Sequence, residues 1–303
     1  MLEADIKSMT IELKGNLDLI GVAACWGAQD TRCEFGPQVI KKGILLSTLR
    51  AMGYQATWQD CLTLAPSSEP IDYYNVISTY CRNLSELSAN AVKNHYFFAV
   101  YGGDHSCAIG TWSGVSLALG ETPFGLMWID AHLDSHTPDS SHSGAIHGMP
   151  LAILLGLGDE RLTSIGGQQA KLKPEYVCVV GARSYEAEEQ ALLTSLGVHI
   201  FYEKEIETKG LEQVLIEAKN LVSRAPGGYG LSIDLDAIDP KDAPGVGSPE
   251  LGGLSGALLC QCLQQHFKGD NDLLGLEIVE LNPALDEAEK TSNLASELML
   301  SLC

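Results

Sequence analysis

Apolar runs of strand length alternate with segments of helical periodicity along nearly the whole chain, and this alternation limits the possible folds more than any other feature. Strand-like runs cover residues 17–24, 95–101, 124–130, 175–180, 198–202, 228–236 and 273–281, with a weaker one at 55–64. Helical patterns cover residues 36–52, 71–93, 111–119, 151–157, 186–196, 211–222, 254–266 and 285–302. Such alternation is typical of parallel sheets covered by helices. Because no composition break or repeat interrupts it, the sequence predicts one doubly wound, mostly parallel α/β domain over residues 1–303.

The balance of charged residues limits which partners the protein is expected to bind. Nineteen Lys and Arg residues face 39 Asp and Glu residues, and the formal net charge is -20. Nucleic acids and anionic membrane surfaces select basic patches, so neither is an expected partner. A negative field can attract a small cationic substrate, although solubility alone also explains such a charge.

Cysteine usage and the N-terminus indicate the compartment. The nine cysteines are an odd number without a Cys-x-x-Cys pair, which favours reduced thiols over a disulfide framework or a zinc knuckle. The first residues include Glu3 and Asp5 and no long apolar run, so no signal peptide is expected. No segment has the roughly 20 apolar residues of a membrane span. We therefore expect a cytoplasmic protein.

The stretch from residue 124 to 150 carries the densest set of chemically active side chains. Its apolar run ends in Asp130, His132 and Asp134, and four of the eight histidines lie in this stretch. If the backbone stays extended, these three alternate side chains share one face. A solvated polar loop is the competing explanation, but the carboxyl end of a buried strand is where α/β sheets bind ligands.

Two other strand ends carry matching residues. His105 follows the 95–101 strand, although taken alone it is better explained as a helix-start residue. Asp234 and Asp236 end the 228–236 strand, and a cation would explain why two carboxylates point together. The six side chains at one sheet edge are too many for a tetrahedral zinc ion but suit two ions that share carboxylates. Oxygen-rich ligation with two imidazoles favours Mn²⁺ over Ni²⁺, Fe²⁺, Co²⁺ or Zn²⁺.

Five ordered motifs carry a resemblance to a known family. They are Gly-Gly-Asp-His-Ser at 102–106, Asp-Ala-His-Leu-Asp at 130–134, Ser-Gly-Ala-Ile-His-Gly at 143–148, Ser-Ile-Asp-Leu-Asp-Ala-Ile-Asp-Pro at 232–240 and Glu-Leu-Asn-Pro at 280–283. Over nearly the whole chain the sequence resembles the arginase, or ureohydrolase, family, and most of all its bacterial arginases. The resemblance implies a three-layer α/β/α sandwich, two Mn²⁺ ions per chain, hydrolysis of guanidino compounds to urea, and a homotrimer or homohexamer.

The resemblance also implies roles for individual residues. One metal ion would be held by His105, Asp130, Asp134 and Asp234, and the other by His132, Asp130, Asp234 and Asp236. Proton transfer would fall to Asp134 and to His147, and Glu280 would face the guanidinium group. The α-carboxylate and α-amino groups of a substrate would lie near Ser143 and Glu186.

Several positions depart from the family pattern. His136 and Ala145 stand where arginases usually carry asparagines, Ser248 replaces the usual threonine, and Glu186 is one methylene longer than the usual aspartate. These departures concern the part of a substrate beyond its guanidino group. His136 and Ser248 nevertheless remain candidate substrate contacts, together with Ser143, Glu186 and Glu280.

The chemistry agrees with a pair of metal ions. Guanidinium is a resonance-stabilised cation and a poor electrophile, and divalent metal ions lower the pKa of bound water from about 15.7 towards about 7. We therefore expect a dinuclear manganese hydrolase that cleaves L-arginine to urea and ornithine. Agmatine, guanidinobutyrate or another guanidino or formimino compound is the alternative substrate. A single-metal deacetylase would leave Asp236 without a role, and an inactive binding subunit would not need the complete set of residues.

Overall fold

The computed structural model describes residues 15–63 and 70–303, and in these ranges eight strands form a parallel sheet. The strands are β1 (Gly15–Gly21), β2 (Tyr54–Asp60), β3 (Phe97–Tyr101), β4 (Gly125–Ile129), β5 (Val177–Ala182), β6 (His199–Tyr202), β7 (Tyr229–Asp234) and β8 (Leu273–Val279). Their order across the sheet is β2-β1-β3-β8-β7-β4-β5-β6, and every neighbouring pair is parallel. All the strands therefore direct their carboxyl ends to one edge of the sheet.

Helices cover both faces of this sheet. They are α1 (Gly36–Lys42), α2 (Leu45–Ala51), α3 (Tyr73–Lys93), α4 (Ala108–Leu119), α5 (Pro150–Leu154), α6 (Glu160–Thr163), α7 (Ala187–Leu196), α8 (Glu203–Lys209), α9 (Leu211–Val222), α10 (Gly256–His266) and α11 (Lys290–Ser301). Helices α1, α2, α9, α10 and α11 contribute to one hydrophobic core, and α3, α4 and α5 to the other. The predicted three-layer α/β/α architecture is confirmed.

The strand periodicity explains how one sheet supports two cores. In β4, Leu126 and Trp128 belong to one core while Met127 and Ile129 belong to the other, and all four are fully buried. Side chains alternate between the faces of a strand, so an apolar residue is required at every position when both faces are covered. This is why the strand runs of the sequence are continuous rather than alternating.

Some predicted element boundaries were wrong. The helix expected over residues 36–52 is two helices, because the backbone is extended at Gly43. The helix expected over 285–302 begins only at Lys290, after Ala288 and Glu289 adopt positive φ angles of 51° and 59°. The structure places helix α4 three residues earlier than the sequence pattern did. The prediction for the N-terminus and most of the loop around residues 66–70 lie outside the described residues.

The prediction of uniformly reduced thiols was wrong for one pair. Cys25 and Cys33 form a disulfide, with their Cα atoms 6.1 Å apart. The loop after β1 folds back on itself within eight residues, and spacing along the sequence alone does not reveal such a turn. Six of the other seven cysteines are buried.

The loops that leave the carboxyl edge are packed closely together. A side-chain carbon on Gly103 would lie 1.7 Å from the carbonyl oxygen of Ala24, so only glycine fits there. The glycine thus lets the exit from β3 pass beside the exit from β1 and places the following residues over the sheet edge. Among the described helices, none is long and apolar enough to cross a membrane.

Candidate active site

Three strand ends deliver six predicted metal ligands to one place, but by turns rather than by extended backbone. Strand β4 ends at Ile129, and Asp134 has a φ angle of 46° in the left-handed region. A 3₁₀ turn over Leu235–Ala237 follows Asp234. The prediction that alternate residues share a strand face was therefore wrong in mechanism, because the chain leaves the sheet directly after each strand.

Backbone amides hold the first aspartate of each motif. Asp130 Oδ1 accepts a hydrogen bond from the amide of His132 at 2.7 Å, and Asp234 Oδ1 accepts one from the amide of Asp236 at 2.8 Å. The indole of Trp128 donates to Asp130 Oδ2 at 2.8 Å and its ring stacks on the His105 ring, with 4.0 Å between centroids. These hydrogen bonds orient the carboxylates of Asp130 and Asp234.

One centre is organised around the His105 imidazole. Its Nδ1 lies 3.2 Å from Asp130 Oδ2, 3.0 Å from Asp134 Oδ2 and 3.2 Å from Asp234 Oδ2. Nε2 lies 3.0 Å from the hydroxyl of Ser232. Yet within the described residues Nδ1 has no hydrogen-bond partner of acceptable geometry, although it is buried. A buried nitrogen that faces three carboxylate oxygens without a hydrogen bond fits a bound cation.

A second centre lies around His132. Its Nδ1 is 3.1 Å from Asp236 Oδ2 and 3.5 Å from Asp130 Oδ1. Candidate ligand atoms of His105, Asp130 and Asp234 lie within 4.8 Å of one another, and so do those of Asp130, His132 and Asp236. Because Asp130 belongs to both groups, the geometry suits two ions that share a carboxylate.

The pKa values of the cluster residues show how much the cluster needs positive charge. Burial raises the pKa of Asp134 to about 6, with a further contribution from Asp130. Burial and the neighbouring Asp236 raise the pKa of Asp234 well above its usual range. Burial by itself would lower the pKa of His105, but the surrounding carboxylates raise it well above 6.5. Divalent ions would replace these protons as the compensating charge.

His147 and Glu280 form a pair beside the cluster. His147 Nδ1 lies 3.1 Å from Glu280 Oε1, which also accepts a hydrogen bond from the amide of His105 at 2.9 Å. Burial alone would lower the pKa of His147, but Glu280 raises it to about 9. Glu280 has a φ angle of 65°, one of five positive values among the described non-glycine residues. This backbone strain at a buried carboxylate is typical of functional sites.

A cleft of about 190 Å³ connects the cluster with the predicted substrate contacts. Its lining includes His136, Ser143, Glu186, Ser248 and Glu280, which are all the residues that the sequence proposed for substrate binding. Parts of His132, Asp134, Asp236 and His147 line the same cleft. The structure therefore brings every candidate residue except the more deeply placed His105, Asp130 and Asp234 to one open cavity.

Two acidic residues of this region were not recognised from the sequence. Glu189 fits the pattern of an ordinary first-turn helix acid, and it does form a capping box with Glu186. It also lines the cleft, with Oε2 3.5 Å from His136 Nε2. Glu277 lies in strand β8, where it is fully buried and accepts a 2.7 Å hydrogen bond from Ser232. An acid inside an apolar strand was the available signal for Glu277.

A buried histidine and aspartate cluster for two cations, at the carboxyl edge of a parallel sheet and beside a polar cleft, defines a metal-dependent hydrolase. Comparisons with known proteins identify the family to which this hydrolase belongs. A family model described as Arginase family matches residues 16–303. The chain belongs to the arginase family, which consists of metal-dependent hydrolases that cleave guanidino C–N bonds.

The similarity to individual members extends over nearly the whole chain. An arginase of Brevibacillus brevis is 36% identical over 296 residues, which cover 95% of this chain and 97% of that protein. A crystal structure of arginase from Bacillus subtilis is 35% identical with a TM-score of 0.86, covering 95% of this chain and 98% of that one. A crystal structure of Entamoeba histolytica arginase in complex with L-ornithine is 29% identical, also with a TM-score of 0.86, covering 95% and 98%.

Proposed function

We propose that this protein hydrolyses the guanidino group of L-arginine to urea and ornithine, with two Mn²⁺ ions as cofactors. The supporting observation is the single cleft that contains the exposed part of the metal-ligand cluster, the His147–Glu280 pair and all five predicted substrate contacts. The similar Entamoeba histolytica arginase was crystallised with L-ornithine, the amino-acid product of this reaction.

The proposed metal sites follow the two centres of the cluster. His105, Asp130, Asp134 and Asp234 would hold one ion, and His132, Asp130, Asp234 and Asp236 the other. When bound, such a pair of ions supplies a water molecule of lowered pKa next to the substrate carbon. Four aspartates balance the charge of two divalent ions, and the absence of thiolates from this set favours Mn²⁺ over Zn²⁺.

The remaining residues would bind the substrate and move protons. Glu280 lies 5% exposed in the cleft and is the carboxylate suited to pair with the guanidinium cation. His147 is 26% exposed as a side chain, so its imidazole can exchange protons with solvent on one side. Asp134 Oδ2 lies 3.0 Å from His105 Nδ1, and Asp134 also lines the cleft, so its carboxylate can carry a proton to the departing amine.

Contacts at the distal end of the cleft support a second candidate function, the hydrolysis of other guanidino compounds. His136 Nε2 lies 3.0 Å from Glu186 Oε2, so two of the predicted contacts for the amino-acid end of arginine are already engaged with each other. Agmatine or guanidinobutyrate, which lack one of the two α-substituents, would require fewer of these groups. A single-metal deacetylase is disfavoured, because Asp236 lies 3.1 Å from the second histidine of the cluster.

The quaternary structure and location belong to the same proposal. We propose a cytoplasmic homotrimer or homohexamer that acts on a small cation and binds neither nucleic acid nor membrane. The net charge of -20 supports the choice of a cationic substrate over an anionic polymer. Sedimentation equilibrium of the purified chain measures the oligomer directly.

A urea-release panel tests the reaction. Protein loaded with Mn²⁺ is assayed with arginine, agmatine, guanidinobutyrate and shorter guanidino acids, and arginine is expected to give the highest kcat/KM. The same panel with Ni²⁺ is expected to be slower. A protein that binds two metal ions per chain and yet releases no urea from any of these compounds would contradict the proposed function.

A further inference from the structure

A third group of potential metal ligands lies at the rim of the cleft and shares no residue with the two centres described above. This rim cluster consists of His136, Glu186 and Glu189, whose ligand atoms lie within 4.8 Å of one another. His136 Nε2 is 3.0 Å from Glu186 Oε2 and 3.5 Å from Glu189 Oε2. Histidine stands here at a position where the family resemblance leads one to expect asparagine.

Groups outside the rim cluster hold its donor atoms in place. His136 Nδ1 lies 3.0 Å from the hydroxyl of Ser140, which leaves Nε2 directed at the two carboxylates. Glu189 Oε1 accepts a hydrogen bond from the amide of Ser135 at 3.1 Å. Histidine ligands in metal sites are usually held in this way through their second ring nitrogen.

The burial of the three side chains also suits an ion that enters from solvent. His136 is 11% exposed and Glu189 is 4% exposed, whereas Glu186 is 52% exposed. Two ligands are thus desolvated and fixed, and the third forms an accessible side of the site. Glu186 is the N-cap residue of helix α7, and its capping box with Glu189 fixes the backbone between the two carboxylates.

We propose that the rim cluster binds a third divalent cation, and that Zn²⁺ is the ion that fits it best. A tetrahedral zinc ion with bonds of about 2.0 to 2.1 Å places its ligand atoms about 3.4 Å apart. The observed separations of 3.0 and 3.5 Å differ from this value by a few tenths of an ångström. One imidazole and two carboxylates neutralise one Zn²⁺ ion and leave a fourth position for water.

Counting metal ions on the intact protein tests this site. The chain is first loaded with Mn²⁺, then dialysed against rising ZnCl₂ with free Mn²⁺ kept in excess, and both metals are measured by mass spectrometry. Wild-type protein is expected to retain two ions and to gain one Zn²⁺, for a total of three per chain. His136→Ala and Glu186→Gln are expected to bind the third ion at least about tenfold more weakly.

A matched variant separates the rim cluster from ordinary surface binding. His266 also lies 2.8 Å from a glutamate, Glu212, but it belongs to no group of three candidate ligands in the described residues. His266→Ala should therefore keep the third ion. If zinc uptake is matched one for one by manganese loss, or if His136→Ala binds the third ion like the wild type, the proposed site does not exist.

A second variant keeps the metal count interpretable if the first variant misfolds. Glu186→Gln keeps the size of an exposed side chain, so it provides the decisive comparison if His136→Ala fails to retain its first two ions. None of these counts depends on urea release, so a failure of the proposed reaction leaves the test of the third ion intact.

A further consequence rests on the proposed function. The rim cluster lines the same cavity of about 190 Å³ as Glu280 and Ser248, so an ion there would occupy space needed by the far end of arginine. Zinc at concentrations that fill the third site is then expected to raise KM for arginine severalfold in the wild type. The same zinc concentration should leave KM unchanged in His136→Ala relative to that variant without zinc.

Discussion

Replacing Glu280 by glutamine should remove a pH-dependent part of the stability of the metal-free protein. Glu280 Oε1 lies 3.1 Å from His147 Nδ1, and the carboxylate is 7% exposed as a side chain. Burial alone would lower the pKa of His147, and Glu280 is the main reason that it rises from 6.5 to about 9. A difference of one unit in pKa corresponds to 1.36 kcal/mol, so the higher pKa of His147 in the folded state is worth about 3 kcal/mol of folding free energy.

The direction of this pH dependence follows because folding favours the protonated form of His147. The stabilisation is fully present below pH 6.5, where the unfolded chain is also protonated, and it is lost as the pH rises through 9. Glutamine keeps an oxygen for the amide of His105 but has no charge, so it removes the effect with little change in shape. The wild type should exceed Glu280→Gln by about 2 to 3 kcal/mol at pH 6, and the gap should close by pH 10.

Chemical denaturation of EDTA-treated protein across this pH range measures the gap, and NMR titration of the histidine ring protons follows His147 directly. Glu212→Gln is the matched control, because Glu212 pairs with His266 at 2.8 Å but is 56% exposed. Exposed pairs contribute little, so this control should follow the wild type at every pH. A gap between wild type and Glu280→Gln that stays constant from pH 6 to pH 10 would refute the reasoning.

Three further substitutions test other parts of the site. Asp130→Asn should reduce bound metal from two ions to one or none and abolish urea release together, as measured by metal analysis and assay; full activity would contradict the bridging role. His147→Ala should lower kcat at least about tenfold while metal content stays at two ions, and metal loss would instead identify a ligand. Glu277→Leu should destabilise the protein by about 3 kcal/mol in urea denaturation, because Ser232 and two other buried donors lose their acceptor; a change below about 1 kcal/mol would count against this network.

The sequence predicted the edge of the sheet at which the site lies but not the way in which its side chains meet. Asp130 and Asp234 follow continuous apolar runs, and such runs are recognisable because both faces of a central strand are buried. The turns after those runs were not predicted, since the left-handed conformation of Asp134 depends on contacts with distant segments. The structure brings the predicted ligands together, although part of the geometric argument for them was wrong.

Contacts between distant segments also explain which structural features were not predicted from the sequence. In the sequence, Glu189 has the pattern of an ordinary acid in the first turn of a helix. Only the fold places it against His136, 53 residues earlier in the chain. The Cys25–Cys33 disulfide depends on a loop that folds back, and no spacing rule marks it. Likewise, the break between helices α1 and α2 depends on the extended backbone at Gly43, in a pattern that otherwise continues with helical spacing.

The amino-acid sequence by itself determined the layered α/β architecture, the identity of the six candidate metal ligands and the affiliation with the arginase family. Hydrophobic periodicity and short polar motifs are local properties, and parallel strands necessarily bring their carboxyl ends to one edge. Only the tertiary structure decided which atoms face one another: Nδ1 of His105 and three carboxylates, the His147–Glu280 pair and the rim cluster. These arrangements depend on sub-ångström placement of loops from separate strands, and side-chain packing sets that placement only when the whole chain is folded.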